Sequence, residues 1–255
     1  METGVVVGNI DVAQLVLYGF WIFFAGLVFY LRREDRREGY PLYSELTQAQ
    51  KPKGFLLIPT PKIFNLFHGG SVAAPAPLKE KREIAVAKTE PWPGAPYAPT
   101  GNPMVDAVGP ASYAERTDKP DLTTEGKPKI VPLRTATDFA VGTGEADPRG
   151  YDVIAVDRVR VGTVVDVWVD RAESLIRYLE VSLIGGHNVL LPMALAKVRR
   201  FPRQVTVDAI LGAQFAAVPR LKKPDQVTLL EEDKIQAYYA GGKLYATPDR
   251  AEPFL

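Results

Sequence analysis

Three ionisable side chains, Asp170, Glu173 and Arg177, fall within eight residues around one predicted turn. They are ionisable groups with no nucleophile–base pair among them. Asp170 ends a valine-rich strand, Glu173 lies in the turn and Arg177 opens the next strand. Carboxylates relay protons near neutral pH when burial or like charge raises their pKa, and a nearby guanidinium sets the field in which they titrate. By strand parity Arg177 shares a face with Leu179, Val181 and Leu183, so its charge is expected to start on the apolar side and to need a partner. Three solvated turn charges are the ordinary alternative. A second acidic run, Glu231-Glu232-Asp233, makes Glu232 another carboxylate candidate; its alternative role is to supply negative charge to a helix N-terminus.

Other chemistries find no support. The chain has no glycine loop of the phosphate-cradling kinds and no nucleophile elbow. Its two histidines, His68 and His187, adjoin Gly69-Gly70 and Gly185-Gly186 and read as turn decoration. With no cysteine there are no disulfides, thiolate metal sites or cysteine nucleophiles. A net charge of +1 gives no bulk electrostatic case for nucleic acid. The reading is of a chain that assists chemistry without a catalytic, cofactor or metal site of its own.

The elements that must position these charges begin with an apolar run at residues 12–31. Twenty residues at about 1.5 Å each reach about 30 Å, enough to cross a bilayer once as a helix. A cleaved signal peptide would need a basic n-region and a shorter apolar core, which are missing. No Lys or Arg precedes Arg32, whereas Arg32, Arg33, Arg36 and Arg37 follow the run at once. That asymmetry predicts an outside N-terminus and a cytoplasmic remainder. The four arginines would also attract anionic headgroups at about 1 kcal/mol each, and Tyr40 marks where the chain leaves the interface. Trp21, near mid-span with Gln14 and Gly26 in the same helix, points to a helix packed on protein rather than on lipid alone.

Between Pro41 and Pro132 lie fifteen of the twenty-two prolines. Proline removes an amide donor and fixes φ, so this stretch is expected to be extended, with little regular structure. Phe55, Leu56, Leu57, Ile58, Ile63, Phe64, Leu66, Phe67, Trp92 and Tyr97 make it too apolar for a solvated linker, and a partner's surface is the expected support.

From about Lys129 the pattern becomes β. Val161, Thr163, Val165, Val167 and Val169 are expected on one face, with Asp166, Trp168 and Asp170 on the other. Further strands are expected at residues 153–156, 178–183, 189–192, 197–199 and 204–207. Short strands at such spacing indicate a small, mostly antiparallel barrel. Residues 208–217 and 231–239 read as helices, the second stopped by Gly241-Gly242. The expected fold is thus a single transmembrane helix plus a mainly-β cytoplasmic domain, with an extended proline-rich segment and short C-terminal helices. Its divisions are a short N-terminus at 1–11, the span at 12–31, a basic flank and extended segment at 32–128, the barrel domain with helices at 129–247 and a tail at 248–255.

Several motifs in one order resemble the H subunit of the purple bacterial photosynthetic reaction centre. They are residues 20–42 (FWIFFAGLVFYLRREDRREGYPL), 101–113 (GNPMVDAVGPASY), 129–134 (KIVPLR), 144–150 (GEADPRG), 227–234 (VTLLEEDK) and 237–246 (AYYAGGKLYA). Within that span, residues 162–170 (GTVVDVWVD) resemble the strand motif of PRC-barrel domains.

The resemblance implies a non-pigment subunit, not an enzyme, that spans the membrane once and caps the cytoplasmic face of the L and M subunits. It would shield the secondary quinone site from bulk water while letting protons reach it. Bacteriochlorophyll, bacteriopheophytin, quinones and non-haem iron would be held by partner subunits, with carotenoid left open. Light-harvesting antenna, cytochrome c and membrane lipids are further candidate partners; nucleic acid is not. The implied place is the bacterial inner, intracytoplasmic membrane, with a periplasmic N-terminus. The resemblance also puts Asp170, Glu173 and Arg177 near the cytoplasmic side of the quinone pocket, with Glu173 relaying protons. Some family members carry a histidine pair just before the KIVP segment, where protons enter and inhibitory divalent metal binds. Residues 121–128 here have no histidine, so Asp121 and Glu125 are the candidates to collect protons. An assembly factor or adaptor built on the same barrel, without proton transfer, is the main alternative.

Overall fold

The computed structural model describes residues 5–7, 10–44, 49, 58–76 and 82–251. Phe55, Leu56 and Leu57, the end of the tail and part of the N-terminus lie outside the described residues. The chain divides into two compact units, Met1–Lys81 and Arg82–Leu255.

In the first unit, β1 (Val5–Val7) and β2 (Ile10–Asp11) form a short antiparallel pair that runs directly into helix α1 (Val12–Glu34). The Asp11 carboxylate accepts the Gln14 N–H at 2.8 Å and caps the helix. The helix outlasts the apolar run by three residues, since Arg32 and Arg33 are good helix formers placed at the negative end of the helix dipole. No described residue of α1 is buried, and its length and apolarity suffice to cross a membrane. A 3-10 turn, Asp35–Arg37, follows, and then the antiparallel hairpin of β3 (Lys62–Asn65) and β4 (Ser71–Ala74).

The second unit opens with another hairpin, β5 (Val86–Lys88) against β6 (Tyr97–Pro99). The proline-rich stretch therefore holds two short ribbons whose strands stop at or near prolines. Next come β7 (Ile130–Pro132), β8 (Asp152–Ile154), β9 (Arg160–Asp170), β10 (Leu175–Leu183), β11 (Asn188–Pro192), β12 (Ala196–Arg199) and β13 (Gln204–Val207). They make one seven-stranded sheet in the order β11-β10-β9-β8-β13-β12, with β7 also on β9. The long strand β9 organises it. One edge pairs with β10 along its length, and the other takes β8 at Arg160–Thr163 and β7 at Trp168–Asp170. All pairs are antiparallel except β8 with β13. Strands β11 and β12 end the sheet without meeting, so the barrel is not closed.

Two bulges break the expected alternation. Opposite β10, Asp166 and Val164 pair with the consecutive residues Glu180 and Val181, which leaves Val165 as an extra residue. Val165 swings out to solvent while Val164 is buried, so the face predicted for Val165 is corrected. On β10, Ile176 and Tyr178 pair with Val169 and Trp168, which leaves Arg177 as the extra residue. Arg177 is therefore exposed and does not share the apolar face of Leu179, Val181 and Leu183.

Helix α2 (Leu229–Tyr245) adds Ile235, Tyr238 and Tyr239 to the buried core that also holds Trp168, Leu179, Ile210 and Phe215, with Tyr239 edge-on to the Phe215 ring. Thr228 and Glu231 form its capping box. The expected stop at Gly241-Gly242 is overturned, because the helix runs on through both. Their role is close approach. A Cβ on Gly241 would lie 2.5 Å from the Ala111 Cβ, and one on Gly242 would lie 2.6 Å from the Ala209 carbonyl oxygen. The helix expected at residues 208–217 is only a 3-10 segment, Gly212–Ala217, and α2 is the one α-helix described in this unit.

Candidate functional site

The β9–β10 turn and the approach to β7 gather charges around Lys129. Asp170 is fully buried at the end of β9. Its Oδ1 accepts the backbone N–H groups of Ala172 at 2.9 Å and Glu173 at 3.1 Å, which shapes the turn. Its Oδ2 faces Arg177 Nε at 3.3 Å and Lys129 Nζ at 3.5 Å. Glu173, half-exposed, lies 3.5 Å from the same ammonium and 3.7 Å from the Arg177 guanidinium. The Asp121 carboxylate lies 3.9 Å from the Lys129 ammonium as well. Burial works against the Lys129 charge, but Asp170 and Glu173 outweigh it and hold its pKa above the usual value.

A second group adjoins this one through Arg177. Tyr178 donates to Glu232 Oε2 at 3.0 Å, and Gln236 Nε2 donates to the Tyr178 oxygen at 2.9 Å. Burial raises the Glu232 pKa; the Tyr178 hydroxyl, Arg177 and Arg116 pull it down, and Asp121 pushes it further up. The net shift is upward. The Tyr178 phenol is pushed up by burial and then by Glu232, so it stays protonated and serves as donor. Glu231, not Glu232, makes the capping box, which frees Glu232 to reach the sheet.

The arrangement thus joins two half-exposed carboxylates, Asp121 and Glu173, to a buried one, Asp170, over a shared cation. Arg177 touches that set and also acts on the Glu232 field. Protonation of one member changes the charge that the others feel, which is what proton collection and relay require. Glu125 stands differently. It accepts from the Thr123 hydroxyl at 3.0 Å and the Thr124 hydroxyl at 3.2 Å, and these bonds hold its pKa below the usual range. A groove of about 490 Å³ beside the cluster is lined by Leu175, Ile176, Arg177, Tyr178, Met193 and Gln236.

Of the arginines after the span, Arg32 pairs with Asp35 at 3.7 Å in an exposed position, and Arg36 lies over the Tyr40 ring at 5.4 Å. Arg37 is committed inward. It grips Glu34 through two bonds of 2.8 and 3.0 Å and donates to the carbonyl oxygens of Thr60 and Ala74.

Sequence reasoning missed Lys129, Tyr178 and Gln236, and it missed a second polar network. Arg134 Nη1 donates to Asp166 at 3.0 Å and to Glu180 at 2.5 Å, while its Nη2 donates to the Pro224 carbonyl oxygen. Trp168 Nε1 donates to Glu180 Oε2 at 2.9 Å and the Asn188 amide Nδ2 donates to Glu180 Oε1 at 2.7 Å, so both buried carboxylates are partnered. A cavity of about 590 Å³ opens beside this network. The available signal was Trp168 two residues from Asp166: an indole on the supposedly polar face implies a cover over that face.

The family model for the N-terminal region of the photosynthetic reaction-centre H chain matches residues 4–135, just over half of this chain. The PRC-barrel domain model matches residues 145–214, which span β8 to β13 and most of the following turn.

Proposed function

The chain belongs to the photosynthetic reaction-centre H-chain family, and on that premise we propose that it caps the cytoplasmic face of the L and M subunits and supplies protons to the secondary quinone site. It is a membrane-anchored reaction-centre subunit. In this reading the N-terminus is periplasmic and the second unit is cytoplasmic in the bacterial inner membrane, as the arginines after the span favour. Pigments, quinones and iron are held by the partner subunits.

The observation that carries the proposal is the Asp121, Lys129, Asp170, Glu173 and Arg177 cluster, with Glu232 and Tyr178 beside it. A quinone that takes two electrons takes two protons, and a site closed to water needs a protein route for them. Glu173 carries protons across the cluster, Asp170 and Arg177 set its field, and Asp121 collects from solvent. Glu232 is a secondary acceptor on the helix side, and Glu125, held ionised by two hydroxyls, contributes charge at the rim.

The test is the complex co-purified from native membranes on a C-terminal tag. Near-infrared bacteriochlorophyll bands that bleach reversibly on a flash are expected, and a stable pigment-free preparation would leave an assembly factor as the better account. In the pigmented complex Glu173→Gln should slow flash-induced proton uptake, by up to about 100-fold for a lost proton-transfer group. Unchanged uptake would remove the relay role.

A further inference from the structure

The β3–β4 hairpin is fastened to the end of α1 at its base. Lys62 Nζ lies 2.6 Å from Glu34 Oε2 and 5.9 Å from the centre of the Tyr30 ring. The Arg37 guanidinium that grips Glu34 also binds the carbonyl oxygens of Thr60 at 2.9 Å and Ala74 at 2.8 Å, so it touches both ends of the ribbon. Tyr30 is one turn closer to mid-span than Glu34, so the fastening runs back along α1 toward the lipid.

Beyond this base each face of the ribbon carries exposed apolar side chains, with the Asn65–Ser71 pair on the Ile63 face just before the tip. Ile63 and Phe64 are neighbours in one strand and point to opposite sides. Ile63 is 73% exposed, and Phe64 and its cross-strand partner Val72 are also exposed. At the tip Leu66 is exposed and Phe67 is 82% exposed, with the turn closed by Gly69 and Gly70 at positive φ. A ribbon that docks on one partner surface needs only one apolar face. Exposed apolar side chains on both faces and at the tip, with polar Asn65 and Ser71 between them, fit a bilayer boundary, which surrounds a ribbon and takes apolar side chains to a depth of about 5–10 Å among polar headgroups. Four residues at about 3.4 Å each reach about 14 Å from the base, which spans that layer. Arg32, Arg33, Arg36 and Lys62 give the base the sign that anionic headgroups attract. The outer edges of a two-stranded ribbon carry unpaired N–H and C=O groups, so the strands stay among headgroups and only the tip goes deeper.

We propose that the β3–β4 hairpin is a second membrane attachment, with Leu66 and Phe67 inserted at the acyl boundary of an anionic leaflet beside α1. It makes the first unit a two-point anchor, and the helix alone does not define it.

The absence of cysteine makes the test clean. Full-length Phe67→Cys and Leu66→Cys chains carry a nitroxide label, with Glu145→Cys, exposed on a turn of the second unit, as the aqueous reference. Power saturation is read in phosphatidylcholine vesicles with and without phosphatidylglycerol, and in the complex in native membranes. Labels at 66 and 67 should collide severalfold more with oxygen than with a nickel chelate, most strongly with phosphatidylglycerol, and Glu145→Cys should show the reverse. Nickel access at 66 and 67 equal to that at 145 would overturn the proposal. Shielding from both reagents in the complex would also overturn it, by showing that a protein partner covers the ribbon.

Discussion

The Tyr178 hydroxyl on β10 donates to the Glu232 carboxyl on α2 at 3.0 Å, so one hydrogen bond ties the sheet to the helix through two groups whose pKa values burial raises. Stability should carry the mark of that bond. Above the ordinary Glu value of about 4.3 the unfolded chain has released a proton that folded Glu232 still holds. Stability therefore falls as pH rises through this window, up to the raised folded value. Glu232→Gln removes the fall and keeps an acceptor for Tyr178. Its melting temperature in detergent should match the wild type below the ordinary Glu range and exceed it at neutral pH.

Arg134→Met should be among the costly single changes. It leaves Asp166 and Glu180 buried without their cation. Removing one partner of a buried ion pair costs about 3–5 kcal/mol, and the partial exposure of Arg134 places this case near the lower end. Adding Asp166→Asn and Glu180→Gln should restore part of the loss in denaturant titration.

Gly242→Ala should destabilise although alanine is the better helix former by about 1 kcal/mol. The added methyl would collide with Ile210 and with the Ala209 carbonyl, and overpacking of that kind costs about 1–3 kcal/mol. A lower denaturant midpoint is expected, and a higher one would show that α2 can move away from the sheet.

Lys129→Gln should loosen the β9–β10 turn. Asp170 keeps its two backbone donors and Arg177 but loses the ammonium it shares with Glu173 and Asp121. The loss of a charged partner costs about 1.5–3 kcal/mol. Lys129→Arg should retain most of the stability, and backbone hydrogen exchange at Ala172 and Glu173 should quicken only in the Gln variant.

Local pattern made the membrane helix, the strands and the charged turn legible, since each depends on residues close in sequence. What it missed depends on distant neighbours. The bulges at Val165 and Arg177 arise from pairing across β9 and β10, and each shifts side-chain parity by one residue. Gly241 and Gly242 look like a helix stop until Ala111 and Ala209 occupy the space beside them. Lys129 lies 41 residues before Asp170, and Tyr178 lies 54 before Glu232, so no window on the sequence could join them. Asp170 and Glu173 were found because one short turn carries both.

An isolated apolar helix can spin about its own axis in a bilayer, since every face meets the same hydrocarbon. Tyr30 and Glu34 stand at i and i+4 on one side of α1, where Lys62 meets both and Arg37 of the following 3-10 turn grips Glu34, and the ribbon hangs from that side. It acts as a keel. At 3.6 residues per turn, about 100° each, Trp21 sits nine residues before Tyr30 and so faces the opposite way. A lattice of one carboxylate and two cations near the helix terminus thereby sets the heading of an indole deep in the membrane.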